Sequence, residues 1–334
     1  MDTDVFAQLP WMFPLAALLF GLLVGSFLNV VIYRLPVMMQ RSWDQEMLQW
    51  QAERAGTELP DASSDSVETA VIKMEATATA EMEALEDVTA VTPTPVMEPF
   101  NLATPASACP ACGHQIRAYE NIPIISYLFL RGRCSNCGTK IGIRYPLVEL
   151  FTGLATLAVA LHFGPGWEAM AAAIFTWFLI GLSGIDIDHQ LLPDSMTLLL
   201  LWIGLALSLF DQPTATTLFI EPRAAIAGAV IGYGLLWSVY HAFLLLTGKH
   251  GMGHGDFKLL AALGAWLGWE SLPLIILLSA LAGTLWGVLM IVSRRQQANQ
   301  TMPFGPWLAA AGWVALVAGA ELTEWYFGLV GISS

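Results

Sequence analysis

Two aspartates stand where carboxylates are rare. Asp186 closes an apolar stretch within GIDIDHQLLPD, and Asp256 follows GMGHG where another apolar stretch begins. An ionisable group at membrane depth costs free energy, which makes it a candidate functional residue. Two carboxylates that meet hold one proton between them, because like charges in contact cannot both ionise. The ionised member can take a proton from water while the neutral member donates to a carbonyl, which is the acid–base chemistry of peptide hydrolysis. Gly251, Gly253 and Gly255 let the backbone bend and a peptide approach beside Asp256. The other nearby acids have plainer readings. Asp188 is expected in the loop, nearer water, and Asp194, after Pro193, as a helix N-cap.

The four cysteines form a second constellation. Cys109 and Cys112 make CPAC, Cys134 and Cys137 make CSNC, and 21 residues separate the pairs. Two C-x2-C knuckles at this distance suit a tetrahedral zinc ion, each wrapping the metal with its backbone N–H groups. Two disulfides or four free thiols are the other arrangements. The loop is expected to be cytoplasmic, where disulfides rarely persist. Four thiolates close the coordination shell, so the expected role is structural.

A rival nucleophile lies in Gly181-Leu182-Ser183-Gly184, a G-x-S-G run. A serine protease would need a histidine base at the same depth, and His241 is the one histidine well inside a nearby apolar stretch. Short matches of this kind arise by chance among the small residues that pack membrane helices.

The elements that must position these residues are apolar and long. Of 334 residues 56% are hydrophobic and 12% charged, about half the charge usual in a soluble domain. Stretches of roughly 20 apolar residues, the length that crosses a bilayer, recur. Eight spans are predicted, at about Trp11–Tyr33, Pro146–Phe163, Trp167–Ile185, Ser195–Phe210, Ala224–Leu246, Phe257–Trp269, Leu272–Val292 and Phe304–Leu322. The sixth is short. The expected fold is an all-α integral membrane protein with a zinc-binding loop domain between helices 1 and 2. Arg34, Arg41, the arginines from Arg117 to Arg144, Lys249, Lys258, Arg294 and Arg295 fall on one side of this arrangement, and Arg223 is the exception. Basic loops stay cytoplasmic, so the cysteine loop and both aspartates are expected at the cytoplasmic face and both termini in the periplasm. The first stretch lacks a basic leader and a cleavage site, and is expected to remain as a helix.

Net charge is −13, but 13 of the 27 acids lie between Asp44 and Glu98. Acidity is therefore local. No basic face appears, which argues against nucleic-acid binding. Four regions follow: residues 1–34, the first membrane helix; 35–104, an acidic cytoplasmic segment; 105–145, the four-cysteine domain; and 146–334, a seven-helix membrane core. Residues 42–100, with TATATA and VTPTPV runs, bury too little to offset chain entropy and are expected as disorder or loose helix.

In these motifs the chain resembles the bacterial type IV prepilin peptidases, bifunctional leader peptidases and N-methyltransferases. The resemblance runs through GSFLNVVIYRLP, ACPACGHQIRAYENIPIISYLFLRGRCSNC, RYPLVEL, GIDIDHQLLPD, GMGHGDFKLLAALGAW and PFGPWLAAAGW, omitting residues 42–100. It implies an eight-span aspartic endopeptidase of the bacterial inner membrane. Its substrates would be type IV prepilins and type II secretion pseudopilins. It would cut after a glycine on the cytoplasmic side and methylate the new N-terminus with S-adenosyl-L-methionine. The family's aspartates fall on Asp186 and Asp256, the latter ending Gly253-His254-Gly255-Asp256, and a glycine linked to methyl transfer falls on Gly132. The long acidic segment departs from the family, as does His254, which stands where an aromatic residue is common. No soluble βαβ nucleotide-binding unit is evident, so methylation rests on the resemblance alone.

Two other classes stay open. A proton-coupled transporter could use the acid pair with the zinc loop as a cap, although such proteins often show repeats and midplane acids. A non-enzymatic pilus assembly factor would survive Asp256→Asn.

Overall fold

A computed structural model describes residues 9–54, 100–210, 220–249, 251–293 and 302–330. Among the described residues the regular structure is helical, with two isolated bridges and no strand. The helices are α1 (Met12–Arg54), α2 (Ile125–Phe129), α3 (Arg144–Phe163), α4 (Trp167–His189), α5 (Asp194–Leu207), α6 (Pro222–Thr247), α7 (His254–Leu267), α8 (Leu272–Val292) and α9 (Gly305–Val330). All eight predicted apolar stretches are helical. Six helices, α1, α3, α4, α6, α8 and α9, are long and apolar enough to cross a bilayer. The other two, α5 and α7, have 14 residues each, a length of about 21 Å against a hydrocarbon core of about 30 Å.

Several boundaries move. Helix α1 passes through Pro36 and continues to Arg54, well beyond the expected end at Tyr33. Residues 37–54 are rich in Met and Gln, carry two Glu and two Arg, and lack glycine, a composition that sustains helix. The expectation of disorder or loose helix for residues 42–100 therefore meets regular helix over 42–54, and 55–99 lie outside the described residues. Helix α4 extends past Ile185 to His189 and closes on Gln190 in the left-handed region, whose N–H donates to the Asp186 carbonyl at 2.9 Å. Helix α9 contains a kink at Ala318.

The chain divides into two compact units, Arg34–Ala106 and the remainder, Met1–Tyr33 with Ser107–Ser334. In the first, the buried Arg34 guanidinium donates to the carbonyls of Asn101 (2.9 Å) and Pro105 (2.6 Å). Arg41 lies over the Phe100 ring, 4.3 Å from its centroid.

The second unit is built on close helix contacts. Gly228 and Gly264 approach backbone to backbone, and a Cβ on Gly232 would meet the Leu260 carbonyl at 2.7 Å. Small residues at such crossings let helices approach where lipid offers no hydrophobic drive. Helix α7 is thereby enclosed. Leu259, Leu260, Leu263 and Trp266 are buried, and the Trp266 indole donates to the Leu200 carbonyl of α5 at 2.7 Å. Trp177 of α4 donates to Thr156 of α3 (2.9 Å) and Trp313 of α9 to Thr176 of α4 (3.1 Å). Buried donors are thus satisfied inside the bundle.

Candidate active site and metal centre

Asp186 lies in the last turn of α4 and Asp256 in the first turn of α7, and both are buried. Asp186 Oδ2 accepts the backbone N–H of Gly305, the first residue of α9, at 3.0 Å. Helix N-termini carry free donors and partial positive charge, which suit a carboxylate. Asp256 likewise occupies the first turn of α7, where its backbone N–H donates to the carbonyl of the N-cap residue Gly253 at 3.3 Å.

Leu192 joins the two positions. A Cβ on Gly255 would meet Leu192 Cβ at 2.7 Å, and one on Gly305 would meet Leu192 Cδ1 at 3.3 Å and Asp186 Oδ2 at 2.7 Å. The start of α7, which bears Asp256, and the start of α9, whose first amide holds the Asp186 carboxylate, therefore pack on one leucine. Gly253, Gly255 and Asp256 lie together at the start of α7, and Gly305 links Asp186 to Leu192. Gly305 and Leu192 were not singled out from sequence. A glycine before Pro306 at the start of the last apolar stretch was the available signal.

The roles expected for the neighbouring acids change. Asp188 is helical rather than in the loop, and its Oδ1 accepts from Arg144 at 2.7 Å. Asp194 is not an N-cap. Pro193 holds that position, Asp194 makes no capping bond, and its Oδ1 accepts from Lys258 Nζ at 2.6 Å. Helix α4 runs on because IDIDH contains no breaker. Lys258 lies two residues beyond Asp256, where α7 starts beside α5.

His254 stands in an aromatic setting, with ring centroids 5.3 Å from Tyr240 and 5.4 Å from Phe257. His241 Nδ1 pairs with the Trp237 carbonyl at 2.9 Å. Among the described residues no hydrogen bond joins it to Ser183, as a serine mechanism would need.

The cysteines converge. Sγ–Sγ distances are 3.8 Å for Cys109–Cys137 and 4.0 Å for Cys112–Cys134, and all four sulfurs lie within 4.8 Å of one another. Ligands at about 2.3 Å around a tetrahedral ion stand about 3.8 Å apart, so the donor set fits zinc. No disulfide links them. The knuckles are alike: Gly113 donates to the Cys109 carbonyl (2.9 Å) and Gly138 to that of Cys134 (3.0 Å), both glycines with φ near +70°. The Thr139 hydroxyl and amide lower the Cys137 thiol to about 6, which favours the ligating thiolate. Glu120 braces the site. Its carboxylate accepts the Arg117 N–H at 2.9 Å and pairs with His114 Nε2 at 3.2 Å, and these partners with Ser135 hold it at about 2.

Gly132 is buried with φ +65°, and a Cβ there would meet the Tyr127 hydroxyl at 2.8 Å. Both the conformation and the space favour glycine.

Residues 19–163 match the bacterial peptidase A24 N-terminal domain, and residues 173–288 match the type IV leader peptidase family. The chain is 46% identical over 318 residues to a prepilin leader peptidase/N-methyltransferase of Aeromonas hydrophila, with 95% of each chain covered. It is 48% identical to one of Stutzerimonas stutzeri, covering 97% of this chain and 96% of that one. With one of Pseudomonas aeruginosa it shares 47% over 98% of each chain. No solved structure matches. A helical bundle with two buried helix-end aspartates and a four-cysteine loop, similar over nearly its full length to these proteins, is an enzyme of the prepilin leader peptidase/N-methyltransferase family.

Proposed function

We propose that the chain cleaves the leaders of type IV prepilins and type II secretion pseudopilins and then N-methylates the new N-terminus. Cleavage takes place at the cytoplasmic face of the bacterial inner membrane. Asp186 and Asp256 act as a dyad. The ionised carboxylate takes a proton from the attacking water, and the neutral one protonates the scissile carbonyl. The observation that carries this reading is the burial of both carboxylates, Asp256 on the helix start that packs on Leu192 and Asp186 on the amide of Gly305, which packs on the same leucine. Gly253 leaves the space beside Asp256 open, while Gly255 and Gly305 let Leu192 and the Asp186 carboxylate pack close to the backbone.

In this reading all eight apolar helices lie in the membrane, both termini are periplasmic, and the short enclosed α7 delivers Asp256 to the cytoplasmic face. Zinc is held by Cys109, Cys112, Cys134 and Cys137 and supplies rigidity to residues 105–145. Gly132 belongs to the methyl-transfer site, and S-adenosyl-L-methionine binds against the cysteine loop and neighbouring helix ends.

The test is incubation of the purified full chain with a prepilin and labelled S-adenosyl-L-methionine. Mass spectrometry should find a shortened pilin carrying one labelled methyl group at its new N-terminus. An intact prepilin recovered after incubation with folded protein overturns the reading, and a cleaved but unlabelled pilin removes its second half.

A further inference from the structure

Helix α2 turns its apolar face outward. Ile125, Leu128 and Phe129 are exposed at i, i+3 and i+4 spacing, with Ile122 one turn earlier. Phe129 is 84% exposed and Leu128 67%. The side chain turned inward is polar. Ser126 is buried, donating its hydroxyl to the Tyr119 carbonyl (2.6 Å) and accepting the Ile122 N–H (3.1 Å). Water imposes the opposite polarity on a surface helix.

Two further observations say what covers this face. The first is its height. The Ile124 N–H donates to Glu149 Oε2 at 2.8 Å, and Glu149 is five residues into α3, one of the long apolar helices. That rise is about 7.5 Å, so α2 lies beside the end turns of a membrane helix. Ile124 has φ 60°, a value that a β-branched residue rarely adopts; the Glu149 bond holds the turn there. The second is charge. Arg131 and Arg133 follow α2, both exposed, and neither is ion-paired among the described residues. An apolar face flanked by arginines is the composition of a segment lying in an anionic bilayer surface.

We propose that α2 is an interfacial anchor. Ile122, Ile125, Leu128 and Phe129 enter the boundary between headgroups and acyl chains, and Arg131 and Arg133 meet the phosphates of anionic phospholipids. The contact holds the cysteine loop, and Gly132 between the two arginines, at the membrane surface. A protein partner would explain the apolar face but not its level beside α3 or the free guanidiniums. The inference rests on the long helices crossing a bilayer and is independent of the catalytic reading.

The test places the photo-crosslinker p-benzoylphenylalanine at Ile125, Tyr127, Leu128 or Phe129 of the full chain in nanodiscs. One set contains phosphatidylglycerol and the other phosphatidylcholine alone. After irradiation, phospholipid adducts are expected at 125, 128 and 129 but not at 127, which faces Gly132. Their yield should be several-fold higher with phosphatidylglycerol and should fall by roughly fivefold in Arg133→Gln, the contribution of one basic residue at an anionic surface. Adducts to a second copy or to an added prepilin, in place of lipid, overturn the proposal. So do equal lipid adducts at all four positions, or none at any. A yield indifferent to phosphatidylglycerol overturns the role of the arginines.

Discussion

The Gly305 amide donates to the Asp186 carboxylate across 3.0 Å, joining the start of α9 to the end of α4 over 119 positions of sequence. Glycine is required there by space, since a Cβ would stand 2.7 Å from Asp186 Oδ2. Gly305→Ala should therefore displace the carboxylate and lower prepilin cleavage by about tenfold or more, as small misplacements of reacting groups do. The cost in stability should stay within about 1–3 kcal/mol, the range for overpacking. Cleavage rate and thermal unfolding, measured on one preparation, check both. Wild-type cleavage would show that Asp186 does not depend on this contact.

The two ion pairs flanking the acids are partly exposed. Asp194–Lys258 has side chains 59% and 27% accessible, and Asp188–Arg144 has 27% and 49%. Such pairs contribute about 0–1 kcal/mol, equivalent to at most about fivefold in a rate. Asp194→Asn and Asp188→Asn should thus retain cleavage within roughly that factor. A loss as deep as that of Asp256→Asn would assign one of them to the chemistry.

The apolar runs announced the six long helices because 20 residues with little charge have few soluble uses, and the shorter runs of α5 and α7 are helical as well. The carboxylates were visible because they break those runs at their ends. The cysteine spacing carried its own geometry, and the sulfurs do converge. What could not be read depends on which helix ends meet. Leu192 and Gly305 look like ordinary members of a loop and a helix start, and only packing sets them against Gly255 and Asp186. The same holds for Asp194, read as a cap from its place after Pro193, whose partner Lys258 lies 64 positions away. The end of α1 was missed for a different reason: periodic apolarity stops near Tyr33, but helix propensity does not.

Metal content offers a separate check. Protein purified without chelator should hold about one zinc per chain, and serine at any of Cys109, Cys112, Cys134 or Cys137 should abolish it. The metal's loss should unfold the loop locally, with helical content of the membrane core preserved by circular dichroism. Elemental analysis finding no metal in the wild-type chain would remove the zinc assignment.

Gly132 should separate the two activities. Alanine there takes up a left-handed conformation at a cost of about 1–2 kcal/mol and presses on the Tyr127 hydroxyl. Methyl transfer should fall further than cleavage in Gly132→Ala. Tyr127→Phe in the same chain should restore part of it by removing the contacted oxygen. Equal loss of both activities, with loss of zinc, would point to a collapsed loop.

The strongest prediction concerns the acids themselves. Asp186→Asn and Asp256→Asn should each abolish cleavage while protein accumulates in the membrane at near-normal levels. The amide keeps the shape of the carboxyl but cannot exchange a proton, so neither activation of water nor protonation of the carbonyl can proceed. At Asp186 the amide oxygen can still accept the Gly305 N–H, which preserves the helix contact. Ser183→Ala should cleave normally, since among the described residues no hydrogen bond joins Ser183 to His241, which pairs with the Trp237 carbonyl. The measurement is the cleavage rate of a purified prepilin by each variant in detergent. If Asp256→Asn trims it at the wild-type rate, a dyad mechanism is excluded, because a single carboxylate cannot serve as proton acceptor for the water and proton donor to the carbonyl in one step.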